Sequence, residues 1–175
     1  PYWRLDNNHH AAIGDRHNAA IMGWTVNQQD QIRAKRLETL RDAMAAAGFD
    51  GWIIGREDMY QGEEVPAGDE RLAYLSGFTG SAGFAVVLGD RAALFSDGRY
   101  SLQMPAQTNS AVWDCNTIPD VTCEDWLKTV ALASGAIIAI DGRLVTVSGF
   151  RRFEKSVLAA GGTLVCHHEN LLDHQ

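Results

Sequence analysis

The chain has 175 residues, 46% of them hydrophobic and 21% charged, which is an ordinary composition for one globular domain. Its 15 Lys and Arg against 22 Asp and Glu leave a net charge of −7. That balance argues against nucleic-acid binding, which needs clustered cations, and against an anionic membrane surface. No apolar run approaches the roughly 18–20 residues that cross a bilayer.

Residues 1–26 are polar and carry no apolar period. They are expected to be a tail or leader outside the core, and they lack the apolar segment and cleavage site of a secretory signal. The first residue is Pro rather than Met, as expected of a piece of a longer polypeptide. His9, His10 and His17 lie here, but no Cys or carboxylate pair joins them at ligand spacing.

Order is expected from Asn27, giving a domain over 27–175. Asn27 can cap a helix, with Asp30 favoured by the N-terminal dipole. Leu37, Leu40, Met44 and Ala47 then repeat at helical spacing, and Gly48 supplies a left-handed stop. Residues 51–55 read as a short buried strand. An acidic loop follows, and Asp69 is expected to cap a short helix that ends at Gly77.

Residues 83–88 and 92–95 read as strands joined at Gly89-Asp90. A helix over 99–107 is weakened by Pro105. Val112 and Trp113 suggest a strand. Thr122-Cys123-Glu124-Asp125 has the capping-box pattern, before Trp126, Leu127, Val130 and Ala131. Residues 137–140 form a buried strand. Ser148 is expected to cap a helix carrying Phe150, Phe153, Val157 and Leu158, and residues 163–166 form the last strand. Short, continuously apolar strands need cover on both faces. The expectation is a three-layer α/β domain with a mixed sheet of about six strands flanked by helices.

The residues offer little catalytic chemistry. The glycine cluster 77–83 follows a helix and precedes a strand, the reverse of a phosphate-binding loop. It reads as a tight turn that leaves Phe78 exposed. Asp97-Gly98-Arg99-Tyr100 reads as a turn in which acid and guanidinium pair. Asp141-Gly142-Arg143 repeats the pattern. No Gly-x-Ser-x-Gly elbow exists. His167 and His168 are adjacent, so on a strand they point to opposite faces and do not chelate together. Cys115, Cys123 and Cys166 are an odd count without C-x-x-C spacing, which points to free thiols in a reducing compartment.

A family resemblance gathers these pieces. The run from Asp69 to Gly83 (DERLAYLSGFTGSAG) resembles the N-terminal domain of Xaa-Pro aminopeptidases, in the creatinase–prolidase group of metallopeptidases. Asp97-Gly98-Arg99-Tyr100, Gln61-Gly62-Glu63, Glu124-Asp125-Trp126-Leu127 and Glu169-Asn170-Leu171-Leu172-Asp173 are similar to the same family, in compatible order.

The resemblance implies a creatinase-like N-terminal fold with a ribonuclease-H-like motif. It also implies a pita-bread catalytic domain, absent from this chain, that holds two divalent metal ions, manganese or similar, with Asp, Asp, His, Glu and Glu. By resemblance the whole would be a cytoplasmic enzyme releasing the residue before proline. This chain, with no catalytic residue and no metal ligand, would be inactive alone. It would shape access to the cleft of the catalytic domain, receive proline-containing peptides there, and aid subunit contacts such as a homodimer. Phe78 and Arg99 are the candidates to face that cleft. The alternative is a non-enzymatic protein-binding module of the same fold.

Overall fold

A computed structural model describes the backbone of residues 11–173 and the side chains of residues 28–173. The chain divides into two units, Pro1–Ile32 and Arg33–Gln175. The described part of the first is helix, the opening stretch of α1 (Ala11–Ala47). The expected helix start at Asn27 is therefore corrected. Ala11, Ala12, Ala19 and Ala20 favour the helix while Gly14 and Gly23 oppose it, and the helix runs on through Asn27, which is an interior residue and not a cap.

The second unit carries the rest of α1 and the remaining elements. In chain order these are β1 (Gly51–Gly55), α2 (Arg71–Ser76), β2 (Phe84–Leu88), β3 (Ala92–Asp97), α3 (Gln103–Gln107), β4 (Asp114–Ile118), α4 (Cys123–Thr129), β5 (Ile137–Asp141), α5 (Val147–Ala159) and β6 (Thr163–His167). They form one six-stranded sheet in the order β4-β3-β2-β1-β5-β6. β2 runs antiparallel to both its neighbours, and the other adjacent pairs are parallel. The sheet is thus mixed, as expected.

Alternation along the strands sends successive side chains to opposite faces. Trp52 and Ile54 pack with Leu37, Leu40 and Met44 of α1 and Leu72 and Leu75 of α2. Ile53, between them, packs on the other face with Trp126 and Leu127 of α4 and Phe153 and Val157 of α5. Two buried clusters on either side of one sheet make the three layers.

Several boundaries move for local reasons. Trp113 does not sit in a strand. It is buried at the base of β4, whose own residues, Asp-Cys-Asn-Thr-Ile, are mostly polar and half-exposed. This edge strand is held by its pairing with β3 and by Asp114, which accepts from Trp126 Nε1 at 2.9 Å and Arg91 Nη2 at 2.8 Å. Thr146, not Ser148, caps α5, accepting from the Gly149 N–H at 3.0 Å. Asp69 does not cap α2. It closes a 3₁₀ turn and accepts from Arg71 Nη1 at 2.9 Å. Pro105 falls at the third residue of α3, within the first turn, where its missing N–H breaks no helical bond.

The capping box of α4 forms as read. Thr122 accepts from the Asp125 N–H at 3.2 Å, and Asp125 accepts from the Thr122 N–H at 3.0 Å. Thr122→Ala should therefore lower stability by about 1 kcal/mol. A urea denaturation curve measures it, and an unchanged midpoint would show that the cap contributes nothing.

Candidate functional site

The parallel strands β1, β3, β4, β5 and β6 all end on one edge, at Gly55, Asp97, Ile118, Asp141 and His167. The chain builds β2, β3 and β4 on one side of β1, then crosses to β5 and β6 on the other. In open α/β sheets the carboxyl edge at such a reversal is where sites form. Both Asp-Gly-Arg turns lie on it.

The two turns have the same geometry. Asp97 Oδ1 accepts from the Arg99 N–H and Nε, each at 2.9 Å, and Oδ2 accepts from Nη2 at 2.8 Å. Asp141 Oδ1 accepts from the Arg143 N–H at 3.0 Å and Nε at 3.1 Å, with Oδ2 taking Nη2 at 2.8 Å. The expected turn with an internal ion pair is present twice. The hydrogen bonds from Arg99 hold the Asp97 carboxyl below its ordinary value. At Asp141 burial pushes upward, but the bonds from Arg143 outweigh it, and the net shift is downward.

The pairs differ in depth. The Asp141 side chain is 2% exposed, whereas that of Asp97 is 39% exposed and Arg99 reaches 68%. Arg99 is accordingly a guanidinium presented to solvent on a fixed turn. The next residue fixes that turn from behind. Tyr100 Oη accepts from the Ser81 N–H at 3.1 Å and lies 2.6 Å from Ser81 Oγ.

Phe78 is placed differently from the expectation of exposure. It is 1% exposed, inside the core, with its ring edge-to-face against Tyr100 at 5.5 Å. The glycines explain the burial. The left-handed Gly77, at φ 86°, turns the chain inward from α2. A Cβ at Gly80 would stand 2.2 Å from the Phe78 ring, so the backbone folds directly over it. The exposed aromatic read from sequence is a core residue, and it is the turn above it that faces outward.

Arg56 is the residue that sequence reasoning missed. It leaves the end of β1 and donates from Nη1 to the carbonyls of Glu63 and Ser81, each at 3.3 Å, and from Nη2 to Glu70 Oε1 at 3.1 Å. Its buried Nε has no hydrogen-bond partner among the described residues. One arginine thus ties the acidic loop, the entry to α2 and the glycine turn together. Its main partners are backbone carbonyls, which leave no signature in side-chain patterns. Gln61 extends the rim, donating from Nε2 to Leu144 O at 3.0 Å. The loops after β1 and β5, the glycine turn and the loop after β3 are therefore one connected surface. It projects the four most exposed large apolar side chains among the described residues: Leu102 at 85%, Tyr60 at 81%, Val147 at 71% and Met59 at 61%.

His167 is half-buried against Phe49 at 5.2 Å and Trp52 at 5.9 Å, while His168 is exposed, so the two do point apart. His9 and His10 lie outside the described residues, as does the side chain of His17. Among the described residues no group of three or more His, Cys, Asp or Glu is placed to hold a metal. The carboxylates of this edge do not fit a dinuclear centre, because Asp97 and Asp141 are each committed to an arginine. No described helix is long and apolar enough to cross a membrane.

Comparison with known proteins agrees with this architecture. Residues 36–174 match the creatinase/prolidase N-terminal domain model. A probable Xaa-Pro aminopeptidase P from Arthroderma otae is 37% identical over 144 residues, covering 79% of this chain and 22% of that protein. The X-prolyl aminopeptidase from Caenorhabditis elegans, described as a cytosolic enzyme with a di-nuclear active site, superposes with a TM-score of 0.72 at 30% identity, over 81% of this chain and 25% of its own. The isolated N-terminal domain of the cytoplasmic peptidase PepQ from Mycobacterium tuberculosis shares the fold, with a TM-score of 0.61 at 23% identity, over 80% of this chain and 97% of its own.

The fold and the matched residues define a creatinase/prolidase N-terminal domain, and the chain belongs to that family. Within it, the chain matches the N-terminal domain of Xaa-Pro aminopeptidases. It spans about a quarter or less of the length of those relatives.

Proposed function

We propose that this chain is the non-catalytic N-terminal domain of a cytosolic Xaa-Pro aminopeptidase, with residues 1–26 outside the domain proper. The two divalent ions and the hydrolysis belong to the remainder of the polypeptide, and this domain narrows access to that site. The observation that carries the reading is the 37% identity to an Xaa-Pro aminopeptidase P over most of this chain but only 22% of the relative.

The carboxyl edge of the sheet is the face turned toward the catalytic cleft. Its support is the concentration of Leu102, Tyr60, Val147 and Met59 there, since clustered exposed apolar groups mark interaction surfaces. Arg99, held in a bidentate pair on the same face, is positioned to meet a substrate carbonyl or carboxylate.

The test is peptidase activity. The complete polypeptide with manganese is expected to release the first residue of an Xaa-Pro peptide, and the 175-residue chain alone is expected to release none. Release by the chain alone, or a complete polypeptide inactive on such peptides, overturns the reading.

A further inference from the structure

A groove opens beside the edge, between the ends of β2, β3 and β4 and the helices α4 and α5. Its volume of about 470 Å³ falls in the range of small-molecule sites, roughly 300–1,000 Å³. The floor is apolar. Phe84 stacks on Phe95 at 4.8 Å and meets Phe153 edge-to-face at 4.9 Å, with Ile118 alongside.

The walls carry charges of both signs. Arg152 and Lys155 line the groove from α5 and Glu57 from the loop after β1, while the two other acids of the lining, Asp97 and Glu124, are paired with Arg99 and Lys128. Among the described residues neither the Glu57 carboxylate nor the Arg152 guanidinium makes a hydrogen bond, and the guanidinium lies 5.3 Å from the Phe153 ring centroid. A half-buried carboxylate without a donor is uncommon, because desolvation disfavours its charged form. Burial does raise the Glu57 carboxyl above its ordinary value, with Arg152 and Arg56 acting against that rise. Glu57 and Arg152 also line the crevice of about 60 Å³ between β1 and β5, so they stand where the two openings meet. The one thiol in the groove, Cys123, is pushed up to about 12 by burial and stays protonated, which leaves binding rather than nucleophilic chemistry.

We infer that this groove is a binding site for a short zwitterionic peptide with apolar side chains, its ammonium on Glu57, its carboxylate on Arg152 and Lys155, and its side chains on the phenylalanine floor. An acid and a base in electrostatic reach of each other, neither hydrogen-bonded, beside an aromatic floor complement the two charged ends and the apolar side chains of that ligand class. A purely anionic ligand would meet Glu57, and a purely cationic one Arg152 and Lys155. All the groups belong to this chain, so the inference stands apart from the catalytic reading above.

The probe is L-leucyl-L-phenylalanine, titrated into the ¹⁵N-labelled 175-residue chain and followed by amide shifts. Saturable shifts are expected around Gly83, Ser96, Cys123 and Phe153. N-acetylating the dipeptide removes the ammonium, and amidating it removes the carboxylate. Each change should weaken binding about ten- to a hundredfold, the loss of one charge-assisted bond. Glu57→Gln should weaken the free dipeptide by the same factor and leave the N-acetyl form unaffected. Arg152→Met should do likewise for the amidated form. No saturation below about 10 mM, shifts centred elsewhere, or equal binding of the capped forms would overturn the inference. The capped ligands act on the unaltered protein, so they decide the matter even where a variant fails to fold.

Discussion

Phe78→Ala is expected to destabilise the chain by about 3–5 kcal/mol, the usual cost of emptying a buried phenylalanine site. The ring is 1% exposed and packs among the residues between α1, α2 and the sheet. The site is poorly able to collapse. Gly80 folds over the ring, Ser76 Oγ accepts from the Phe78 N–H at 3.1 Å, and Tyr100 packs T-shaped against the ring while bound to Ser81. Removing the ring leaves a void beneath a turn that Arg56 and Tyr100 hold from both sides. Urea denaturation of the variant beside the parent measures the loss. A change under about 1 kcal/mol would place Phe78 among surface residues and contradict the packing described.

Arg99→Ala in the complete polypeptide is expected to lower kcat/KM for an Xaa-Pro peptide about ten- to a hundredfold, the loss of one hydrogen bond from a charged donor. The same change in this chain alone should move stability by no more than about 0.5 kcal/mol, as at other surface positions, because the side chain is 68% exposed. Arg99→Lys separates charge from geometry. Lysine keeps the charge but not the planar fork that grips both oxygens of Asp97, so it should recover little of the activity. Full activity in Arg99→Ala would remove this residue from the cleft. Lost activity together with lost stability would make it a fold residue instead.

The contrast between these two residues shows how far reading the chain carries. Both sit in glycine turns at the same sheet edge, and both were expected to face outward. Arg99 does, because its partner Asp97 is two residues away and the pair is decided locally. Phe78 does not, because its burial depends on Tyr100 and on the course of the backbone across Gly80, which no local pattern records.

Sequence alone determined the elements whose causes are local: β1 between Gly51 and Gly55, the α4 capping box, the stops at Gly48 and Gly77, and the acid–arginine turns at Asp97 and Asp141. The alternation of apolar strands and amphipathic helices determined the three layers as well, since such strands need cover on both faces. Only the tertiary structure decided the polar edge strand β4, whose side chains show no apolar period and which forms through its pairing with β3. It alone placed Arg56 at the junction of three loops and set Glu57 on the same groove as Arg152, 95 positions later in the chain. Those contacts link distant segments or end on backbone carbonyls, so the folded sheet has to exist before they do.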